Sequence, residues 1–395
     1  MSTVKVADNI YSVGVVDWNL KSFHGNTYTT KRGSTYNAYL IMDDKITLVD
    51  TVYGPFSREL INNIRELTDP SKIEYIIANH VETDHSGALP ELLKLCPKAK
   101  VFGTEKCREG LRRMYYVDMD FQAVKTGDTL STGKKTLSFI EAPMIHWPDS
   151  MFTYVRQDEL LLSNDAFGQH LATSGRFDDE VDSCALMDEA LKYYANILWP
   201  FGQIIAAKIK EITASKIPIK IIAPSHGIIW RRSPGDIINA YARWTSNETR
   251  KKAVIAYETM WGATEKMALS IARGLIESGV ETCVFDVTKT DSTEIVGRML
   301  EARGLLFGSS THDNDMLPNI AGFMEFVKGL KPRGRASAVF GSFGWAGGAV
   351  KEMEDVVKSS GAELVLPGIA VKFMPDESDI QKCYEFGKSF AQHLG

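Results

Sequence analysis

Seven side chains of the kinds that bind divalent transition metals are spread along the first part of the chain, each tied to the end of an apolar, strand-like run. His80, Glu82, Asp84 and His85 lie within Asn79-His80-Val81-Glu82-Thr83-Asp84-His85, and His146, Asp165 and His226 follow at later positions. Imidazole and carboxylate groups this far apart in sequence act as ligands only if the fold brings several strand ends to one place. Alternate residues of an extended segment project the same way, so the spacing predicts that His80, Glu82 and Asp84 converge. Seven ligands are too many for one tetrahedral ion. With Asp165 shared as a bridging carboxylate they divide into two sets, which describes a two-metal site. Four of the eight histidines belong to it.

Glu82 narrows the metal. A zinc hydrolase built on a His-x-His-x-Asp-His pattern would carry imidazole at this position, whereas a hard anionic ligand moves preference toward iron or manganese. Redox chemistry is therefore expected ahead of hydrolysis.

Length and charge bound the remainder. The 395 residues suit two or three domains. A net charge of −5 gives no basic footprint for nucleic acid, so no nucleic-acid partner is expected. No apolar run approaches the ~20 residues needed to cross a bilayer, and Met1-Ser2-Thr3-Val4-Lys5 opens no signal peptide, so the chain reads as cytoplasmic with no membrane partner. Cys96, Cys107, Cys184, Cys283 and Cys383 are odd in number and never paired as Cys-x-x-Cys, which implies neither a disulfide framework nor a four-cysteine metal site.

Strands are expected at Ile10–Val16, Tyr36–Met42, Thr47–Val49, Ile73–Ala78, Thr136–Ile140, Met151–Val155 and Ile219–Ala223, with helices near Phe56–Leu67, Gly87–Leu95, Glu105–Met114, Met187–Ile197 and Pro234–Trp244. Metal-type residues on strand-terminal loops suggest two sheets covered by helices, with the site along one edge. A polar run, Ser246 to Lys252, marks a boundary, giving domains 1–248 and 249–395. Beyond it strands at Ala253–Ala256, Thr282–Phe285, Leu305–Phe307, Ala336–Phe340 and Glu363–Leu366 alternate with helices at Glu265–Glu277, Ser292–Glu301, Ile320–Leu330, Ala349–Ser359 and Ser378–Gln392. Strict alternation of this kind predicts a doubly wound parallel sheet.

The first strand-to-helix turn of this half carries hydroxyls at Thr259 and Thr264, with Met260, Trp261 and Ala263 between them. It has neither the Gly-x-Gly-x-x-Gly of dinucleotide folds nor the Gly-Lys-Ser/Thr of nucleotide triphosphatases. Backbone N–H groups at the helix start plus two hydroxyls suit a terminal monophosphate. Two further loops belong beside it: one with Ser310, Thr311, His312 and Asn314, the other with Ser342, Phe343, Gly344, Trp345 and Gly347. In a sheet of order 2-1-3-4-5 these line the switch-point crevice, where a flat ring can lie against Trp345. Flavin mononucleotide fits all three loops.

The pattern His80-x-Glu82-x-Asp84-His85, then His146, Asp165 and His226, followed by a flavodoxin-like half, resembles the flavodiiron proteins (A-type flavoproteins) over essentially the whole chain. The runs His146-Trp147-Pro148-Asp149-Ser150, Asn164 to His170 and Tyr193-Tyr194-Ala195-Asn196 resemble that family too. The resemblance implies an α/β chain: a metallo-β-lactamase-like αββα sandwich holding two irons, then a flavodoxin-like domain holding FMN. It implies reduction of dioxygen to water or of nitric oxide to nitrous oxide. One iron would be held by His80, Glu82 and His146, the other by Asp84, His85 and His226, with Asp165 bridging; His85 is the ligand that water displaces in part of the family. His24, His170 and Tyr193 have the polarity to protonate or orient bound oxygen species. The resemblance further suggests a head-to-tail homodimer or a dimer of dimers, in which the flavin of one subunit faces the metals of its partner. The chain stops after the last helix of the flavin domain without a rubredoxin module, so electrons are expected from an external donor, either rubredoxin or a similar carrier; the resemblance also admits the reduced deazaflavin coenzyme that some archaeal relatives use. Two rival readings are a dinuclear metal hydrolase with a flavodoxin-like module, opposed by Glu82, and a flavin carrier with a metal-free first domain, opposed by the intact ligand set.

Overall fold

Four strands of the first sheet carry adjacent apolar pairs, Leu40-Ile41, Leu48-Val49, Ile76-Ile77 and Val101-Phe102, and each pair is divided between two cores. Side chains alternate across a strand, so a sheet covered on both faces needs apolar residues in succession. Leu40, Leu48, Ile76 and Val101 stand side by side in register and pack under helices through Leu60, Ile64, Leu89, Leu92 and Leu111. Ile41, Val49, Ile77 and Phe102 face Leu137, Phe139, Val155, Leu160 and Leu162 of a second sheet.

The computed structural model describes residues 3–395. One unit contains the residues up to Tyr193 together with Gln203–Ala242, and the other contains Tyr194–Gly202 with Arg243–Gly395. The first holds a seven-stranded sheet, in the order Val4–Ala7, Ile10–Ser12, Tyr39–Ile41, Thr47–Val49, Tyr75–Ile77, Lys100–Gly103 and Phe121–Ala123. Its five-stranded partner runs Thr129–Ser131, Thr136–Glu141, Met151–Val155, Leu160–Asn164 and Ile221–Pro224.

Two expected strands are each broken in two. The run from Ile10 divides into Ile10–Ser12 in the main sheet and Val15–Asp17, which pairs with Ser34–Tyr36. Gly14 lies at the break, where a Cβ would sit 2.2 Å from the Tyr36 carbonyl oxygen. The run from Tyr36 breaks at Asn37, whose N–H donates to the Ser225 carbonyl at 2.7 Å and whose amide donates to the Pro224 and Gly227 carbonyls at 2.9 and 3.0 Å. Those bonds fasten the loop that carries His226 instead of extending the ladder. The helix Gly202–Ala214 and the strand Lys100–Gly103 go beyond the expected elements.

In the second unit the strands Glu281–Asp286, Arg250–Glu258, Ala302–His312, Ala336–Phe343 and Glu363–Leu364 give the expected 2-1-3-4-5 order, all parallel. The fifth strand is interrupted after Leu364 and resumes at Ile369–Lys372, because Pro367 has no N–H for the ladder. The segment Tyr194–Gly202 opens with a π-helical turn, Tyr194–Leu198, where a continuous helix was expected. Asn196 donates to the Thr293 carbonyl at 3.0 Å, and the Trp199 ring lies 5.3 Å from the guanidinium of buried Arg335. That guanidinium also donates to the carbonyls of Leu300 and Arg333 and to Asn247 Oδ1, and burial brings its pKa down to about 10.

Asp50 closes the strand Thr47–Val49 in a left-handed conformation, φ 57°, and accepts from Asn79 N at 2.8 Å and Asn79 Nδ2 at 3.0 Å. Asn79 in turn accepts from Thr153 Oγ1 at 2.7 Å, which links the two sheets beside His80. Burial pushes the Asp50 carboxyl up to about 6 against the pull of His85 and Asn79. Asp50→Ala would strand two buried donors and is expected to cost about 2–4 kcal/mol in urea unfolding; a loss below ~0.5 kcal/mol would show that the network carries no weight.

Candidate metal centre and flavin pocket

Strand Tyr75–Ile77 delivers Asn79 and His80, and the chain stays extended only as far as Glu82, φ −54° and ψ 145°. Thr83–Ser86 then forms a single helical turn, held by Ser86 Oγ donating to the Val81 carbonyl at 2.6 Å. Simple strand alternation therefore does not bring Asp84 beside Glu82: His80 and Glu82 reach the site from an extended segment, Asp84 and His85 from a helix. His146 enters from the loop before Met151–Val155 and Asp165 follows Leu160–Asn164, where Asn164 at φ 52° turns the chain. His226 follows Ile221–Pro224. The next residue, Gly227, has φ +77°, and any Cβ there would collide with Gln169.

All seven residues meet at one place. Nε2 of His80 lies 3.3 Å from Glu82 Oε2 and 3.7 Å from Asp165 Oδ2, and Nε2 of His146 lies 3.4 and 3.6 Å from the same two oxygens. On the other side, Nε2 of His85 lies 3.2 Å from Asp84 Oδ2 and 3.1 Å from Asp165 Oδ1, and Nε2 of His226 lies 3.0 and 3.5 Å from them. Each oxygen of Asp165 thus faces a different pair of imidazoles. Among the described residues, three sets bring ligand atoms close enough together to hold an ion: His80, His146 and Asp165; Asp84, His85 and His226; and His24, Glu82 and His146.

These side chains fit a pair of divalent ions. Both oxygens of Asp84, Nε2 of His85 and Oδ2 of Asp165 are buried without a hydrogen bond, a cost that coordination removes. Burial pulls His85 down, but Asp165 and Asp84 outweigh it and hold the imidazole at about 9; His80 is likewise raised well above the usual range, through Asp149 and Glu82. Burial would raise Glu82 and Asp165, yet the surrounding histidines hold both below the usual carboxylate range. Cations replace the protons that balance this charge.

Around the centre, Tyr193 O–H donates to Asp165 Oδ1 at 3.1 Å and stays protonated, since burial and then Asp165 raise its pKa well above the usual value. His24 sits 3.3 Å from Glu82 Oε1; burial lowers its pKa, but the bond to Glu82 leaves a net upward shift. His170 touches none of the carboxylates. Its Nδ1 pairs with Ser34 Oγ at 2.7 Å, its ring lies 5.0 Å from that of His226, and burial with His226 and His24 nearby keeps it neutral. Two partners of the cluster escaped the sequence reading: Asp149, 3.0 Å from His80 Nδ1, and the Thr35 carbonyl, 2.6 Å from His226 Nδ1. Asp149 had a signal, a carboxylate three residues after His146.

In the second unit a cavity of about 580 Å³ opens at the carboxyl ends of the strands, within the range of cofactor sites. Met260, Trp261, Ala263, Ser310, Thr311, His312, Asn314, Ser342, Phe343, Gly344 and Trp345 line it. Thr264 is buried beneath, bonded to Ser310 Oγ at 3.0 Å and Ser342 Oγ at 2.9 Å. Thr259 Oγ1 accepts from Gly262 N at 3.0 Å, and Gly347 lines an adjoining hollow. No side chain caps the helix Ala263–Glu277, whose first turn therefore suits a phosphate. Asp313, Ala346, Phe373 and Met374 also line the cavity; Phe373 and Met374 follow the fifth strand, an end that the switch-point rule includes.

The ODP family beta-lactamase model matches residues 35–227 and the flavodoxin model matches residues 255–387. The chain is 50% identical over 393 residues to the nitric oxide reductase of Moorella thermoacetica, covering 99% of this chain and 98% of that protein. It superposes on rubredoxin oxygen:oxidoreductase from Desulfovibrio gigas with a TM-score of 0.97 at 34% identity, covering 100% and 98% of the two chains. The flavodiiron protein from Giardia intestinalis gives a TM-score of 0.96 at 35% identity, covering 100% and 97%. The chain belongs to the flavodiiron protein family. Its architecture is that of the family, a metallo-β-lactamase-like domain followed by a flavodoxin domain. Relatives of the flavodiiron family that match over the full length are redox enzymes, which disfavours the hydrolase reading.

Asp165→Ala is expected to lose the metal pair while FMN stays bound, because the flavin cavity lies in a unit with its own core. Retention of two irons per chain would refute the bridging role. Thr264→Val removes the hydroxyl shared by Ser310 and Ser342 and is expected to weaken FMN binding at least tenfold, about 1.4 kcal/mol, with iron content unchanged.

Proposed function

We propose that this chain is a flavodiiron oxidoreductase that reduces dioxygen to water, nitric oxide to nitrous oxide, or both. The observation that carries the reading is the Asp165 carboxylate, whose two oxygens each face one pair of imidazoles. In this reading His80, Glu82 and His146 hold one iron and Asp84, His85 and His226 the other. The loops at Thr259–Thr264, Ser310–Asn314 and Ser342–Gly347 hold FMN. When bound, two ferrous ions and the flavin supply the four electrons that dioxygen needs with four protons, or the two that a pair of nitric oxide molecules needs with two protons.

The protein groups position and protonate. Tyr193 keeps its proton and can share it with an oxygen atom beside Asp165. His170 presents Nε2 without a hydrogen-bond partner while Ser34 fixes its Nδ1. His24, partly exposed and favouring its charged form, can carry a proton in from solvent toward Glu82. Phe23 packs against the His24 and His170 rings and Trp147 against His80, which limits water.

We assign the metal-bearing domain to 1–248 and the flavin domain to 249–395 as sequence stretches, with Tyr194–Gly202 packing in the flavin unit. The apolar rim of the flavin cavity, with Trp345 92% and Trp261 83% exposed, supports a head-to-tail homodimer in which a second copy covers it. Electrons would come from rubredoxin or a similar small carrier. Among the described residues no helix is long and apolar enough to cross a membrane, and the assigned location is the cytoplasm.

The test is anaerobic reduction of protein with quantified iron and FMN, followed by separate oxygen and nitric oxide consumption assays. Consumption of either gas without stoichiometric peroxide is expected; no turnover of either gas by fully loaded protein, with reduced rubredoxin supplied, would overturn the reading. Glu82→His, which restores an imidazole-rich pattern, is expected to raise zinc occupancy and lower gas consumption at least tenfold, measured as metal content and rate on the same preparation.

A further inference from the structure

The two halves of the metal centre draw on equal chemistry. His80, Glu82 and His146 on one side match His85, Asp84 and His226 on the other, two imidazoles and one carboxylate each, with one oxygen of Asp165 turned to either side. The outer nitrogens of the histidines are treated differently. His226 Nδ1 meets a neutral backbone carbonyl, that of Thr35, at 2.6 Å. His80 Nδ1 meets both oxygens of the Asp149 carboxylate, at 3.2 and 3.0 Å.

Asp149 is built in. It is 2% exposed; its Oδ2 accepts from Val81 N at 2.7 Å, and its carbonyl accepts from Thr104 Oγ1 at 2.9 Å. The Trp147 ring stands edge-on to His80 at 5.1 Å and confines the imidazole from a third direction. A carboxylate facing Nδ1 makes that nitrogen a donor and holds Nε2 toward Glu82 and Asp165, where it can ligate an ion. It also makes the ring a stronger electron donor than a carbonyl partner does.

We propose that Asp149 is a positioning residue that makes the two metal positions unequal, the one at His80, Glu82 and His146 being the tighter. The inference rests on the diiron reading above. Asp149→Asn keeps one oxygen for Val81 N–H and the His80 ring and removes the charge and the second acceptor; Asp149→Leu removes both acceptors. Wild type and both variants, loaded with ferrous iron under anaerobic conditions, are challenged with a ferrous chelator. FMN content reports the state of the fold, and anomalous diffraction from crystals of Asp149→Asn locates the iron that remains.

In Asp149→Asn one iron per chain is expected to leave 10–100-fold faster than in wild type, while the other, located at Asp84, His85 and His226, leaves at the wild-type rate. Asp149→Leu is expected to lose the same iron with FMN retained. Loss of both irons together, loss from the His226 side, or wild-type kinetics in Asp149→Asn overturns the proposal while leaving the diiron reading intact. A wild-type protein that takes up no pair of irons overturns both.

Discussion

A carboxylate with almost no access to water, set among four imidazoles, is the constraint around which the first domain is arranged. Asp165 is 1% exposed, and an isolated anion there would be prohibitively costly. Its neighbours come from separate strand ends, so its environment exists only when both sheets are in place. The supports are placed accordingly: Asn37 ties the His226 loop to the first sheet, and the Asp50–Asn79–Thr153 chain joins the sheets beside His80. Glycine at 227 is required because the backbone at that point runs against Gln169.

The flavin half solves a different problem, with almost no charge. Thr264, Ser310 and Ser342 bring hydroxyls from three segments into mutual contact below the cavity. An uncapped helix start supplies dipole and N–H groups beside them. Neutral donors of this kind accept a phosphate without competing for the metals that the carboxylates and imidazoles attract.

Much of this was legible from residue type and spacing. The 2-1-3-4-5 sheet followed from regular alternation, and the ligand set from side chains that have few other reasons to recur at strand ends. What spacing could not give was direction. The extended reading holds for His80 and Glu82 but not for Asp84, because Thr83–Ser86 form a helical turn, so Asp84 joins His85 and His226 rather than Glu82. The breaks at Gly14 and Asn37 were hidden because apolar runs continue through them, and only contacts with distant loops decide where the ladder stops. His170 shows the reverse limit: its polarity was visible, but its distance from every carboxylate of the cluster was not. Asp149 stood in the sequence only as part of the run from His146, because nothing in spacing shows that it faces the outer ring nitrogen of His80.

The residues Tyr194–Gly202 belong by their packing to the flavin unit although they are encoded inside the metal-bearing stretch. The chain leaves the first unit after Tyr193, returns at Gln203 and leaves again after Ala242, so no single junction separates the halves. A gene fusion that exchanged only the carboxyl-terminal stretch would leave the Trp199 ring without the Arg335 guanidinium and the Asn196 amide without the Thr293 carbonyl. Exchange of one flavodoxin-like module for an unrelated one at a single junction is penalised by this interlacing.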